Sequence, residues 1–327
     1  MITKHLGKRP AQAQYSYNDV IKNLWAIIFA GGDCAEDIHT NLKEELQQIQ
    51  NLNICSPDTI LGVQKQLAGE KEIHLSLSKI VNEFSKHSTL NALNLEFLVK
   101  NKVLDINQLH DFYFDNQFIP TEKFDSKKGY KMNEGYFPGV ASIGRHIVYI
   151  ENRNGNCNVK YKQAETLEAA FKLLKGENIK INRGRMDCGS FSKDITKVVE
   201  ANCKSFYIRA LRCDDLASQI REVSKWETVK VGVLNVEVCS IGYAPFGEEK
   251  KYRHVVQRER NKTGQTDAFY NDNFVYRAIA TNDWVSTGQE VIAYYNQREA
   301  GEKIFDEMNN DFGWKNSPFS FLKENTV

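Results

Sequence analysis

The chain has 327 residues, enough for one large domain or two to three smaller ones with a sizeable core. Its net charge of +1 gives no global sign of a nucleic-acid partner, so support for one has to come from local clusters. The seven cysteines form no C-x-x-C pair, which argues against a structural zinc site or disulfide framework and favours a reducing, cytoplasmic compartment. No stretch approaches the roughly 18 apolar residues of a membrane helix, and the first residues lack the apolar run of a signal peptide, so no membrane partner is expected.

Residues 1–104 are predicted to form a mainly helical region. Ser56 has the features of an N-cap, because Pro57 follows it as the first helical residue and apolar residues then recur at helical spacing. Helices are expected in the segments 17–32, 36–50, 56–69 and 90–104. Short helices with brief connections suit a helix-turn-helix DNA-binding module, and they suit any small helical bundle equally well.

Residues 105–211 are predicted to form an α/β core. Alternation predicts a strand in "DFYFDNQFIP", and the turn signal Asn154-Gly155 predicts a hairpin in "RHIVYIENRNGNCNVKYK". A helix capped by Thr166 and a strand ending at Asp187 follow, and then a helix over 192–203 and a strand over 204–211. Three strands that precede alternating helices and strands predict a mixed sheet.

The remainder is predicted to contain a β-rich insertion over residues 212–275 and a segment over 276–327 that completes the core. The insertion has one long alternating run and two further strands, in the segments 227–245, 252–260 and 273–282. A last helix is expected after Ser286, with Gln289 completing a capping box.

This last helix contains "VIAYYNQREAGEKIF", in which Tyr295, Arg298 and Glu302 recur at helical spacing and share one narrow sector. One interpretation is a surface face with a half-buried Tyr and an Arg–Glu pair one turn apart, which contributes a few tenths of a kcal/mol. The other is a functional acid, and it requires further carboxylates that meet Glu302.

The element order resembles that of the ribonuclease H-like fold. That fold has one Asp on its first strand, a second at the end of its fourth strand and a third acid on a late helix, which implies Asp115, Asp187 and Glu302. Asp111 and Asp125 lie near Asp115 in the chain, and Asp111 shares its strand face, so alternation does not separate the two.

The segments "RMDCGSF", "YYNQREAGE" and "FDNQFIPTEKFDSKKGYKMNEGYFPGVASIG" resemble the DDE transposases of bacterial insertion sequences. The resemblance covers roughly residues 105–327 and is most specific for the group marked by Tyr-x2-Arg-x3-Glu-x6-Lys on its last catalytic helix. Tyr295, Arg298 and Glu302 match this pattern, whereas Asn309 stands in the place of the closing Lys. Family members usually continue into a further helical region, so the chain is expected to be a full transposase or a shortened copy.

The resemblance implies metal-dependent DNA cleavage followed by strand transfer. Asp115, Asp187 and Glu302 would be both catalytic residues and metal ligands for two Mg²⁺ ions, with Mn²⁺ as a substitute, because carboxylate oxygens suit hard cations. Double-stranded DNA at the element ends and the target would be the partner, the active form a homodimer, and the location the cytoplasm at the nucleoid. DNA contacts are predicted for a set of basic and aromatic residues: Tyr295, Arg298, Arg185, Lys251, Arg253, Arg258 and Arg260.

Two alternatives stay open at this point. One is a ribonuclease H-like nuclease that cuts DNA without strand transfer. The other is a non-catalytic DNA-binding remnant or regulator that keeps the fold. The basic run from Lys250 to Lys262 is itself open to a plainer interpretation, as a solvated hairpin face.

Overall fold

The structure is a computed structural model that describes residues 1–69, 71–76, 79–130, 132–261 and 272–327, without the side chains of residues 299–302. Its helices are α1 Ile2–Leu6, α2 Tyr17–Phe29, α3 Asp37–Thr40, α4 Lys43–Leu46, α5 Pro57–Leu67, α6 Ser88–Lys100, α7 Gln163–Gly176, α8 Lys193–Asn202, α9 Asp214–Arg221, α10 Gly288–Asn296 and α11 Glu299–Asn310. Within these described segments, no helix is both long and apolar enough to cross a membrane.

The strands are β1 Lys71–Leu75, β2 Val81–Lys86, β3 Leu109–Asn116, β4 Ile119–Pro120, β5 Lys127–Lys128, β6 Glu134–Tyr136, β7 Gly139–Ile143, β8 His146–Arg153, β9 Lys180–Met186, β10 Cys203–Arg209, β11 Glu227–Val231, β12 Leu234–Tyr243, β13 Tyr252–Arg260 and β14 Phe274–Thr281. Eleven of them form one sheet in the order β1-β2-β8-β7-β3-β9-β10-β14-β13-β12-β11, and β4, β6 and β5 form a small second sheet. Strand β9 runs parallel to both β3 and β10, and the other neighbours in the large sheet are antiparallel. The predicted mixed α/β class is therefore confirmed.

The register of β3 against β9 contains an irregularity. His110 pairs with Ile181, but the next residue, Asp111, pairs with Arg183, so Asn182 is an extra residue in β9. From there the pairing is regular up to Phe114 and Met186. A bulge of this kind changes which face of the sheet the following side chains occupy.

The two faces of the sheet have different covers. Phe112, Phe114 and Met186 pack on one face into the main core with α7 and α8. On the opposite face, Val291 and Ile292 of α10 pack over the β10 to β11 half of the sheet, in a second cluster. Helix α11 covers strands β7 and β8 through a third cluster that contains Ile304, Met308, Val140, Ile147 and Ile150. The joint between α10 and α11 therefore lies over the part of the sheet between β10 and β7, which contains β9 and β3.

The N-terminal region agrees only partly with the prediction. Helix α5 begins as predicted, with the hydroxyl of Ser56 accepting a hydrogen bond from the Thr59 amide. The polar segment 36–50 forms two short helices, α3 and α4, because few apolar positions hold a longer one. Strands β1 and β2 were not predicted, and β2 pairs with β8, so the large sheet extends into this region.

Three other local predictions are corrected by the structure. The hairpin turn lies at Gly144-Arg145 between β7 and β8, and not at Asn154-Gly155, because Gly144 takes the positive φ of 58° that a tight turn needs. Helix α7 begins at Gln163, which places Thr166 inside the helix, where its side chain is buried. The capping box of α10 is formed by Thr287 and Glu290, one residue beyond the predicted pair.

The predicted insertion does not form a separate sheet. Strand β14 pairs with β10, and β13, β12 and β11 follow in order, so these four strands extend the core sheet directly. Residues 262–271 of this segment lie outside the described residues. The division into four domains stays a prediction.

Candidate active site

Asp115 and Asp187 lie side by side at the carboxyl ends of two neighbouring parallel strands. Phe114 of β3 pairs with Met186 of β9, and the residue that follows each of them is one of the two acids. Because Phe114 and Met186 are buried in the main core, alternation turns both carboxylates towards the opposite face, the one covered by α10 and α11. Asp187 directly follows β9, and its Oδ1 accepts a hydrogen bond from the Cys188 amide at 2.7 Å.

Arg298 brings one positive charge to both acids. It lies in the joint between α10 and α11, where the amide of Arg298 bonds to the carbonyl of Tyr295 in a tighter, i to i−3 turn. Its Nη1 is 3.3 Å from Asp115 Oδ2 and 3.6 Å from Asp187 Oδ2, so the two carboxylates converge on a single nitrogen atom. Burial alone would lower the pKa of Arg298, but Tyr113 and the two acids raise it above its usual range.

The environment of Asp115 disfavours a lone negative charge. Burial raises the pKa of Asp115, the Tyr113 hydroxyl and the Arg298 charge oppose this rise, and the nearby Asp187 adds to it. Tyr113 donates to Asp115 Oδ2 at 2.8 Å, and the Asn116 amide donates to Oδ1 at 2.8 Å. The carboxylate is therefore held in one orientation beside Asp187.

The other two candidates for the first acid have different partners. Asp111 forms a two-pronged ion pair with Arg183, its cross-strand neighbour, with distances of 2.9 and 2.5 Å. Asp125 is buried elsewhere, where it accepts hydrogen bonds from Tyr136 and from the backbone of Leu322. Neither acid lies within 4 Å of Arg298, whereas Asp115 does.

The predicted continuous helix around Tyr295 and Glu302 is broken into α10 and α11. Tyr295 is buried, and its hydroxyl donates to the carbonyl of Met186 at 3.3 Å, so it supports the strand end that precedes Asp187. Tyr295 is thus buried more deeply than the half-buried Tyr of the surface-face interpretation. Glu302 lies in α11, but its side chain falls outside the described residues.

The predicted DNA-binding residues fall into two groups. Arg185 lies near the acid pair, where its Nη1 donates to the Tyr294 carbonyl at 2.5 Å and its guanidinium packs on the Tyr294 ring at 4.9 Å. Tyr295 and Arg298 belong to the same group. The second group lies on or next to β13, three strands away from β9, and contains Lys251, Arg253, Arg258 and Arg260. The DNA contacts of both groups stay predictions.

The basic run on β13 is largely engaged within the protein. Arg253 is buried and bonds to Ser240 and to two backbone carbonyls. Arg258 pairs with Glu237 at 2.7 Å and packs on the Trp226 ring at 4.1 Å. Lys251 and Arg260 are exposed, and Lys262 lies outside the described residues. Much of the positive charge in this run is therefore already balanced or buried.

The acid pair has the composition of a site for a hard divalent cation. Carboxylate oxygens are the preferred ligands of Mg²⁺, and the Arg298 guanidinium already acts as a stand-in cation between them. Among the described side chains, no group of three or more His, Cys, Asp or Glu is arranged to hold a metal. Asp115 and Asp187 fit two of the three expected ligands, and the side chain of Glu302, the third, lies outside the described residues.

Tyr113 is a site residue that the sequence analysis missed. It lies two residues before Asp115 on the same face of β3, so the alternation of this strand already carried this signal.

Comparison with known proteins assigns no family to the chain. No protein-family model matches it, and no curated protein matches it by sequence. Among solved structures, it is similar to a cryo-EM structure of a piggyBac transposase synaptic complex with hairpin DNA, with a TM-score of 0.41 and 13% identity. The similarity covers 94% of this chain, which spans only 63% of the length of that transposase chain.

Proposed function

We propose that the chain is a DDE transposase with a ribonuclease H-like core, which cleaves DNA at the ends of an insertion sequence and transfers the cut strand to a target. The observation that carries this proposal is the convergence of Asp115 and Asp187 on Arg298 at the ends of two parallel strands. The strand order β8-β7-β3-β9-β10 supports it, since the expected core has three antiparallel strands followed by two parallel ones.

Three acids would hold the metal. Asp115 and Asp187, together with Glu302 from α11, provide oxygen ligands suited to two Mg²⁺ ions, or to Mn²⁺ as a substitute. When bound, such ions supply activation of the attacking water or 3′-hydroxyl and stabilisation of the leaving oxygen. Tyr113 holds Asp115 in orientation, and Tyr295 holds the strand end beside Asp187.

Arg298 would contact the DNA backbone. Its guanidinium lies at the acid pair and carries hydrogen-bond donors suited to bidentate phosphate contact. Double-stranded DNA is accordingly the proposed partner. A homodimer as the active form and a location at the nucleoid are proposed from the family resemblance alone.

The test is cleavage of a supercoiled plasmid that carries the DNA flanking this reading frame. We expect the purified full chain to nick this plasmid with Mg²⁺ or Mn²⁺, and we expect EDTA or Asp187→Ala to abolish nicking. Asp58→Asn serves as a control, because Asp58 is an exposed acid in α5. Absence of nicking by the wild type, or nicking that survives Asp187→Ala, would contradict the proposal.

A second measurement separates transposition from simple nuclease activity. If the proposal holds, a pre-cut end with a free 3′-hydroxyl should become joined to a second plasmid. Cutting without joining would favour a ribonuclease H-like nuclease.

A further inference from the structure

Arg209 completes a row of charged residues across three strands. Strand β10 pairs with β9 such that Ile208 lies beside Met186, and β9 pairs with β3 such that Met186 lies beside Phe114. The residues that come next along these three strands are Arg209 after Ile208, Asp187 after Met186 and Asp115 after Phe114. Adjacent strands are about 4.8 Å apart, so the row is compact, and Asp187 occupies its centre.

All three side chains of this row leave the same face of the sheet. Ile208 is buried in the main core beside Phe114, and Tyr207 is buried in the second cluster beneath α10. Alternation therefore directs Arg209 to the face of Tyr207, which is also the face of the acid pair. Arg209 is only partly buried, so its guanidinium retains access to solvent.

Electrostatic effects on two neighbours agree with this placement. Burial raises the pKa of Tyr295, and the positive charges of Arg298 and Arg209 both oppose the rise. Burial likewise raises the pKa of Cys188, and Arg209 again opposes it. Arg209 thus lies close to the residues that flank Asp187 in the chain and in space.

Arg209 differs from the other arginines of this region in its partners. Arg183 is paired with Asp111, Arg185 with the Tyr294 carbonyl, and Arg298 with the acid pair. Within the described part of the chain, the Arg209 side chain has neither a hydrogen bond nor an ion pair. A permanently charged guanidinium beside a reaction site and without a protein partner is suited to an anionic group of a ligand.

We propose that Arg209 binds a phosphodiester group of the DNA next to the Asp115–Asp187 pair. This inference rests on the proposed function and adds a residue that the sequence analysis did not identify. Arg209 donates to a non-bridging oxygen of this phosphate on the β10 side, beside the two acids that would hold a metal. The contact positions the strand for attack and offsets the negative charge that develops on the phosphate.

Ethylation interference tests this contact without requiring cleavage. The probe is a linear duplex carrying the DNA that flanks the reading frame, ethylated at random phosphates and bound in EDTA. For the wild type, we expect interference at the phosphates around the nick mapped in the plasmid assay. With Arg209→Ala, we expect interference to disappear at one of these phosphates and to persist at the others.

Two variants control for loss of charge and loss of folding. Lys204→Ala removes one positive charge from the exposed, amino-terminal end of the same strand, and it should leave the interference pattern unchanged. Arg209→Lys keeps the charge and should retain a weakened signal at the same phosphate. In the plasmid assay, Arg209→Ala should slow single-turnover nicking by about 100-fold, as for other lost transition-state donors, and Lys204→Ala by less than about threefold.

The outcomes distinguish this inference from the proposed function. An interference pattern identical in wild type and Arg209→Ala would overturn the phosphate contact while metal-dependent nicking stands. The contact is also overturned if Arg209→Lys loses as much as Arg209→Ala in a protein that melts like the wild type. If the wild type neither nicks nor binds the flanking DNA, the proposed function fails, and the phosphate contact fails with it.

Discussion

Asp111 and Asp115 lie on the same face of β3, yet their side chains have different partners. Asp111 is balanced by Arg183 across the strand pair, and both partners are partly exposed. Asp115 is held by Tyr113 and shares Arg298 with Asp187. An acid with its own counter-charge is a poor metal ligand, whereas two acids that share one cation become metal ligands readily.

We therefore expect opposite results from two matched substitutions on β3. Asp115→Asn should abolish metal-dependent nicking, because it removes a ligand charge while it preserves side-chain shape. Asp111→Asn should retain nicking and lower the free energy of unfolding by no more than about 1 kcal/mol, since the lost ion pair is partly exposed. Plasmid nicking and urea unfolding of both variants test this, and the reverse order of activities would assign the first acid to Asp111.

His254 gives the fold a specific sensitivity to acid. The ring is fully buried between Phe191 and Tyr243, and burial lowers the pKa of His254 from 6.5 to about 4. The unfolded chain takes up a proton near the ordinary pKa, whereas the folded chain does not until the pH is much lower. The neutral His254 ring therefore contributes its full share to the free energy of unfolding above about pH 6.5. This contribution is lost as the pH falls towards 4.

The expected size of this loss is about 3 kcal/mol between pH 6.5 and 4. His254→Phe keeps an aromatic ring in the cluster but cannot take up a proton, so its unfolding free energy should fall less over this range. Urea unfolding at several pH values measures the difference, and His146→Gln, at an exposed histidine, should keep the wild-type slope. Equal slopes for wild type and His254→Phe would show that other groups control acid unfolding.

At the scale of elements, the close contact between β9 and α8 fixes the strand that leads to Asp187. Gly184 lies where an added Cβ would be 2.9 Å from Cys203 Sγ and 3.0 Å from Val199 Cγ1. Strand and helix can approach this closely because the position has no side chain. The helix–strand spacing therefore depends on a single glycine.

Two glycine-to-alanine substitutions should have opposite effects on stability. Gly184→Ala overpacks the contact and should lower the unfolding free energy by about 1–3 kcal/mol. Gly62→Ala, in the interior of α5 with no atom within 4 Å of the new Cβ, should raise it by up to about 1 kcal/mol. Denaturant unfolding tests both, and a stabilising Gly184→Ala would show that α8 moves away at little cost.

The helices were easier to predict than the strands, for reasons that these elements illustrate. The start of α5 follows from Ser56 and Pro57, which act locally on the backbone. Strand β2 buries Asn82 and Glu83, and Glu83 is satisfied by Lys71 and by the distant Asn154. Buried polar residues break the alternating pattern, so only the folded partners explain this strand.

The same distinction applies to the site. Asp187 could be predicted because it ends a predicted strand, and Asp115 because the family resemblance implies an acid at that place in the first strand. Arg209 could not, because its place in the row depends on the register of β10 against β9. The break between α10 and α11 could not be predicted from the sequence either, because it arises from the packing of the two helices on different parts of one sheet.

At the scale of the whole molecule, Asp125 connects three distant parts of the chain. It accepts hydrogen bonds from Tyr136 and the Leu322 amide, and it pairs with Lys71 at 3.2 Å. Phe319 and Leu322 are buried, so the last segment packs against the rest of the structure. The small sheet, strand β1 and this segment therefore share one buried acid.

Asp125→Ala should release the segment around Leu322. The loss of several hydrogen bonds at a buried acid should lower the unfolding free energy by about 2–4 kcal/mol. Hydrogen exchange of the Leu322 amide should accelerate, and the exposed neighbour variant Glu122→Gln should leave it unchanged. Continued protection of this amide in Asp125→Ala would show that Phe319 and Leu322 hold the segment by apolar packing alone.

The single extra residue in β9 has a consequence for how the site can change in evolution. If β9 paired with β3 without this irregularity, so that Asn182 lay opposite Asp111, Asp115 would lie beside Met186, and the two acids would point to opposite sides of the sheet. Deletion of one uncharged residue beyond this point, such as Gly184, would likewise place Asp187 beside Phe114 and remove the site while every charged residue stayed in the chain. Inheritance of the acids is therefore insufficient for activity in a related chain, and the number of residues from each acid to the paired part of its strand has to be inherited as well.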